Sequence, residues 1–418
     1  MSVVTKALSN KTPVRLRLWA SAVVVTAVAL LASTSLLMGR VQQQVRVIGE
    51  EAAPQAATAA DLYFALSDLD AQVARMLLIR DGGQIDALGT YRERSLQVDA
   101  DLQRSLTTAT GDAERAIVLD LLNQLAVYRQ WVWQTLTAQS QGPPQPPGKL
   151  PPDALGYYTQ ATNVLHLELL PTAQRLRDAG EMRLDRAYAG KRSTQVWGVV
   201  LTVVLGAGLV VLLLALQVWM ARRFRRVLNP ALAAATVLTA VLAAAAGLVF
   251  VRQAQELGAA RDDSLRPYLA LSQARALSYD AAADTSRYLI SANLPLYRDD
   301  FARKSERLVD AVADKQVVDR WLAYERGHEK VVALAGAGRT GAAIDTLTGI
   351  RRGDAAFDFS YFDAAVDEIA AGHKRDFDRS LGDTERLLAG WTLIPVLLLG
   401  LVILLVPLGV RRRLNEYR

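Results

Sequence analysis

The sequence predicts an all-α membrane protein, with four transmembrane helices and two tandem extracytoplasmic four-helix-bundle modules related by an internal duplication. Three observations predict it. Of the 418 residues 51 % are hydrophobic, and the mean hydropathy is +0.14, too apolar for an ordinary soluble chain of this size. Four runs without Asp, Glu, Lys, Arg or His cover 18–38, 196–220, 231–251 and 391–410. At about 1.5 Å rise per residue, each crosses the roughly 30 Å hydrocarbon layer of a bilayer. The segments between the runs show helical spacing and no sustained period-two alternation.

In chain order, residues 1–17 form a basic N-terminal stretch and 18–38 the first span. Its apolar part is too long for a signal peptide and no A-x-A site follows it, so a retained helix is expected. Residues 39–195 form the first outer segment, 196–220 the second span and 221–230 a short loop. Residues 231–251 form the third span, 252–390 the second outer segment, 391–410 the fourth span and 411–418 a basic tail. The chain has no cysteine, so disulfides, thiol chemistry and lipidated cysteines are excluded.

Charge sets the expected orientation. Lys6, Lys11, Arg15 and Arg17 precede the first span with no acid among them. Arg222, Arg223, Arg225 and Arg226 crowd the short loop, again without an acid. Arg411, Arg412, Arg413 and Arg418 stand against Glu416 in the tail. The chain total is only +6, so everything outside these three segments is net acidic. Positive residues stay inside; both termini and the loop are therefore expected in the cytoplasm, with the plasma (inner) membrane as the location. The basic balance reflects topology and gives no sign of nucleic acid. The arginines hold anionic membrane lipid, or in a sharper reading dock a cytoplasmic protein.

The duplication rests on marks that recur in order. Arg40 and Arg252 follow the outgoing spans, and Pro54 and Pro267 lie 14 and 15 residues further on. "ALSDLDAQVARMLLI" (65–79) faces "ALSYDAAADTSRYLI" (276–290), "YRERSLQVDADL" faces "YRDDFARKSERLVDAV", and "LAVYRQW" faces "LAYERGH". Trp197 and Trp391 open the returning spans. Ordered self-similarity of this kind marks two copies of one module.

Within the first copy, apolar seams run through Leu62, Leu66, Leu69, Val73 and Met76, and through Leu121, Leu125, Tyr128 and Val132. In the second, Leu269, Ala276, Ala283 and Ile290 recur every seven residues. Breakers at 80–84, 107–112 and 141–153 divide the first copy into four helices, with Asp112 and Asp153 as expected N-caps. The proline-rich 141–153 reads as a stiff connector. "SANLP" (291–295) and 335–354 divide the second copy, with a short helix inside the latter. Helices one and four of each copy should run on from the spans as stalks. Pro54 and Pro267 fall inside these stalks and offer either a helix restart or a hinge; Pro171 reads as a local kink.

Chemistry is sparse. His166, His328 and His373 have no metal-ligand spacing, and no nucleophile, zinc or phosphate-loop motif occurs. No catalytic residue, cofactor or metal is expected, and the chain is not expected to be an enzyme. Gln217 is the sole strongly polar residue in a span, so a transport path is not expected either. The small residues of the third span suit a compact four-span bundle. Arg129, Trp131 and Trp133 form an aromatic-basic cluster, matched by Trp321 and Arg326 in the second copy. Trp131 and Trp133 lie about 200° apart on a helix, so they cannot share one seam; an exposed tryptophan would be an anchor for a partner or solute.

A bundle of four helices hung between two spans resembles the sensor domains of chemoreceptors and sensor kinases. Those work as dimers with four spans in all, whereas here one chain supplies four spans and two bundles and no output domain. The whole-chain architecture is similar to the GlnX family, four-span membrane proteins of actinobacteria. That resemblance rests on topology, duplication, length and composition, and carries over no residue. It implies a membrane sensor that reads a solute-binding lipoprotein and signals amino-acid availability to protein kinase G, a cytoplasmic Ser/Thr kinase. The expected partners are thus membrane lipid, an extracytoplasmic solute-binding protein or small solute, and a cytoplasmic signalling protein. The alternative is a structural scaffold of an envelope complex.

Overall fold

The computed structural model describes residues 11–79, 83–224, 229–391 and 393–414. Every regular element among the described residues is a helix, with no strand among them. Helix α1 covers Lys11–Arg46 and α2 covers Ala53–Leu78, joined by a π-helical segment, Val47–Ala52. Then follow α3 (Gly83–Thr108), α4 (Asp112–Gln141), α5 (Pro152–Val164), a second π segment (Leu165–Leu169) and the long α6 (Leu170–Phe224). The second half repeats the opening with α7 (Pro230–Ala259), a π segment (Ala260–Leu265) and α8 (Arg266–Ile290). It continues with α9 (Pro295–Ala311), α10 (Lys315–Gly336), α11 (Thr340–Thr348), α12 (Ala355–Ala389) and α13 (Ile394–Leu414).

Pro54, Pro171 and Pro267 each occupy the second position of a helix that directly follows a π segment. A proline has no N–H and its ring crowds the carbonyl one turn back. One extra residue in that turn opens the ladder enough to take the ring. The helix therefore neither stops nor restarts at Pro54 or Pro267, and Pro171 is a third instance of the same device rather than an isolated kink. Two caps differ from expectation. Gly111, extended, precedes α4, so Asp112 lies in the first turn. Pro151 precedes α5, so Asp153 does too. A side chain bonded to an N-terminal N–H is found instead at Asp314, which accepts from Gln316 N and Val317 N and separates α9 from α10.

The chain forms two compact units. One comprises the residues up to Gly49, Arg186–Ala260 and those from Asp378 on; the other comprises Glu50–Asp185 and Arg261–Phe377. In α1–α2 and in α7–α8 the division falls within a π segment.

The first unit holds four helices long and apolar enough to cross a membrane. Val23, Ala27 and Leu30 of the first span, Leu209, Leu213 and Leu216 of the second, Leu232, Ala235 and Leu242 of the third, and Leu399, Val402 and Val406 of the fourth share one core. The compact four-span bundle is what the small residues predicted. At Gly206 an added Cβ would lie 2.7 Å from the Ala243 Cβ. Several polar groups are satisfied locally, as an apolar solvent demands, whereas the Ser35 and Thr202 hydroxyls are buried without a hydrogen-bond partner. Thr34 and Thr239 donate to carbonyls one turn back. Gln217 donates to the Leu232 carbonyl at 2.9 Å and to Thr236 Oγ1 at 2.8 Å. Asn229 caps α7 and donates to the Gly409 carbonyl. Val204, Val211, Val237, Leu397 and Leu404 face outward, as lipid contact requires.

In the second unit α2 and α8, the first polar-segment helix of each half, pack along one another at the centre. Helix α3 packs on α2, α9 on α8, α4 on α5, and α10 on α11. Two predicted seams hold: Leu62, Leu66, Leu69, Val73 and Met76 are buried, as are Leu121, Leu125, Tyr128 and Val132; of the third, Ala276, Ala283 and Ile290 are buried but Leu269 is only half-buried. Small residues allow the close approaches, for example Gly180 against Ala56, where a Cβ would lie 3.2 Å from the Ala56 Cα. The proline-rich connector of the first half reaches the second half: Gly148, at φ +79°, sits where a Cβ would lie 2.7 Å from Thr340 Cγ2. The two halves thus share one packed unit.

Candidate functional site

Helix α8 carries charge on two faces. On the first, Asp280, Asp284 and Arg287 recur at i, i+4 and i+7, one stripe of a helix. Arg287 is buried at 1 % side-chain exposure and pairs with Asp70 of α2. It also donates to Asp284 Oδ1 at 2.5 Å and Asp280 Oδ1 at 3.4 Å. Lys304 of α9 adds contacts of 2.8 Å to Asp280 and 2.6 Å to Asp284. Tyr128 donates to Asp70 at 3.3 Å, and His166 Nε2 stands 3.7 Å from Asp280. The network ties α2, α4, α8 and α9 together.

Three carboxylates meet two basic side chains here. Burial opposes ionisation of Asp280, but Lys304 and Arg287 outweigh it and hold the carboxyl low; at Asp284 burial wins and the carboxyl is pushed up. Burial and Arg287 push the His166 imidazole down to about 4, so it is neutral at physiological pH. A cleft of about 260 Å³ opens on this network between Thr162, His166, Arg287, Tyr297 and Lys304.

On the other face of α8 lies a cavity of about 280 Å³, walled by Tyr279 and Ser286 of α8, Ala71 and Arg75 of α2, Tyr324 of α10, and Phe359 of α12. Tyr279 meets Phe359 edge-on at 4.8 Å and Phe64 at 5.3 Å. At one margin Arg275 grips Asp363 with two bonds, 2.6 and 2.9 Å, and reaches Asp367 at 2.5 Å. It also lies over the Phe64 ring at 4.4 Å. Arg75 differs. It has no ion pair among the described residues, its buried Nε has no hydrogen-bond partner, and burial pushes the guanidinium down.

The residues singled out in the sequence are scattered. Trp321 is fully buried, stacked on Phe301 and donating to Ser305 Oγ at 2.8 Å. As an external contact it is corrected to core: its seam position on α10, packed by Phe362 and Tyr324, closes it from solvent. Arg326 is exposed. Trp131 stacks on Tyr157 at 5.9 Å, and Arg129 is held by Asp99 at 2.8 Å and the Ser95 carbonyl at 3.1 Å. Trp133 is 55 % exposed and lines a surface cleft with Pro143, Pro144 and Pro151. The aromatic positions matched in sequence therefore occupy different environments. Arg222 is exposed on α6; Arg225 and Arg226 lie outside the described residues. Arg223 and Arg411–Arg413 fall on helical backbone. His328 stacks on Phe301 at 3.5 Å and contacts Thr285 Oγ1 at 2.8 Å. No group of three or more metal-ligating side chains occurs among the described residues.

Sequence reasoning missed Asp70, Arg75, Arg275 and the Asp280–Asp284–Arg287 stripe. Charges at i, i+4 and i+7 inside an otherwise alanine-rich helix were a readable signal, because such a helix buries most of its surface. Arg75 carried no comparable mark.

Residues 44–189, roughly a third of the chain, match the family described as Actinobacterial sensor domain. No curated protein and no solved structure gives a match. Together with four membrane-length apolar helices, the match supports a multi-pass membrane protein of sensor type.

Proposed function

We propose that the chain is a non-catalytic transmembrane receptor. The polar unit lies outside the cell and takes up a signal, a small solute or a loaded solute-binding protein. The spans carry a displacement, and the arginine segments present it to a cytoplasmic signalling protein. One observation carries the reading. The two helices at the centre of the polar unit, α2 and α8, each belong to an unbroken helical run that also contains an apolar span, Arg17–Leu78 and Pro230–Ile290. A shift of α2 against α8 is thereby a shift at the end of a span. The π segment and proline in each run supply the place to bend, and their recurrence supports duplication of one module. Similarity to the GlnX family extends the reading to amino-acid availability as the signal and a Ser/Thr kinase as the receiver. The orientation rests on the arginines of the loop and tail, with both termini in the cytoplasm of a plasma (inner) membrane protein.

The test is co-purification of the intact protein from native membranes. Wild type is compared with a chain in which Arg222, Arg223, Arg225 and Arg226 are replaced by Gln. A cytoplasmic protein retained by wild type and lost from the variant is expected. The proposal fails if no cytoplasmic protein depends on these arginines and the polar unit captures neither solute nor protein.

A further inference from the structure

We infer that the cavity between α2, α8 and α12 is a binding site for a small monocarboxylate with a flat apolar or aromatic body, held by Arg75. Arg75 is half-buried, its buried Nε has no hydrogen-bond partner and it has no ion pair among the described residues, so its guanidinium is placed to take an anion from the adjoining space of about 280 Å³. The other lining charges pair with one another: Arg275 holds Asp363 and Asp367. Both lining carboxylates are taken by Arg275, and Arg75 has no carboxylate in contact among the described residues. A carboxylate offers two oxygens to the planar fork of an arginine, the strongest geometry for that pair.

The rest of the wall sets the body of the ligand. Tyr279, Tyr324 and Phe359 present ring edges and faces, and Ala71, Ala282, Ala356 and Leu347 complete an apolar surface. Rings favour a flat partner. The volume lies just below the roughly 300–1,000 Å³ of sites for drug-sized molecules, so the ligand is small. Because Arg75 belongs to the first half and Tyr279 and Phe359 to the second, one molecule would touch both halves across the α2–α8 pair. This rests on the receptor reading only in making the ligand the signal; the site stands or falls on binding alone.

The experiment is calorimetry and thermal unfolding of the intact protein in detergent, with benzoate and phenylacetate as probes and benzamide and phenylacetamide as uncharged counterparts. At least one carboxylate is expected to bind and raise the unfolding temperature, and its amide is not. Arg75→Gln is expected to lower that affinity about tenfold or more, the loss of one charge-assisted pair, without lowering the unfolding temperature of the empty protein. Should Arg75→Gln fail to fold, Arg75→Lys serves, because it keeps the charge and loses the fork; it is expected to bind more weakly than wild type. Binding unaffected in the variant, binding of the amides as strong as the acids, or no binding of any probe at millimolar concentration overturns the inference. Arginine-dependent capture of a cytoplasmic protein would survive each of those results, so the two readings fail separately.

Discussion

Arg287 is the residue on which the centre of the polar unit turns. It is buried against three carboxylates, and removing one partner from a buried ionic cluster leaves uncompensated charge. Arg287→Met is expected to cost about 3–5 kcal/mol, read as a lower thermal midpoint in detergent. Adding Asp70→Leu and Asp284→Leu should recover much of the loss, because only the mutually paired Asp280 and Lys304 then stay charged. A single variant as stable as wild type would show that the network contributes nothing. His328 gives a pH test. Burial holds its imidazole near 4, below the roughly 6.5 of an unfolded histidine. Between these values the unfolded chain binds more protons, so this residue's contribution is whole above 6.5 and is lost as pH falls toward 4. Asp101, pushed up by burial to about 6, acts with the opposite sign: the fold keeps its proton longer. Comparison with His328→Phe isolates the histidine. The stability advantage of wild type over this variant is expected to shrink between pH 7 and pH 4.5, by chemical denaturation at each pH; a constant difference would refute the assignment.

At the scale of elements, the three π segments stand out. Each precedes a helix with proline in its second place, so the extra residue and the missing donor belong together. Pro54→Ala and Pro267→Ala together restore two donors and leave each π turn with no ring to accommodate. They are expected to raise the thermal midpoint, by up to about 3 kcal/mol per site, while weakening the dependence of partner capture on added solute. A lower midpoint would mean that the prolines fit their turns without strain. These elements were only half legible. The prolines and the uninterrupted apolar periods were visible, but a π turn depends on how the carbonyls one turn back are shared, which no residue type announces. The caps at Asp112 and Asp153 were misplaced by one or two positions for a related reason: Gly111 and Pro151 already supply the extended backbone that a helix start needs.

At the scale of the molecule, each compact unit has its own solvent rule. In the span unit, Gly206 meets Ala243, whereas Gly208 has nothing within 4 Å of its added Cβ. Gly206→Leu is expected to lower the thermal midpoint and broaden the size-exclusion peak in detergent; Gly208→Leu is expected to behave as wild type. Equal behaviour of the two would remove close packing of the second and third spans as a source of stability. In the polar unit, the halves are interleaved. Helix α2 finds its main partner in α8, and the connector at Gly148 rests on the start of α11. The two halves, each burying its central helix against the other's, form one object.

The sequence by itself determined the spans, the helical class and the buried seams, because these follow from local quantities: the length of an apolar run against the thickness of a bilayer, and the period at which apolar residues recur. Leu62 to Met76 and Leu121 to Val132 needed no knowledge of what they would touch. Tertiary structure decided the rest. Asp70 meets Arg287 across 217 positions, Trp321 is sealed by Phe301 and Phe362, and Arg75 is left facing a cavity. Such pairings depend on which helices the fold sets side by side, and a buried charge shows its meaning only when its partner, or the lack of one, is in place.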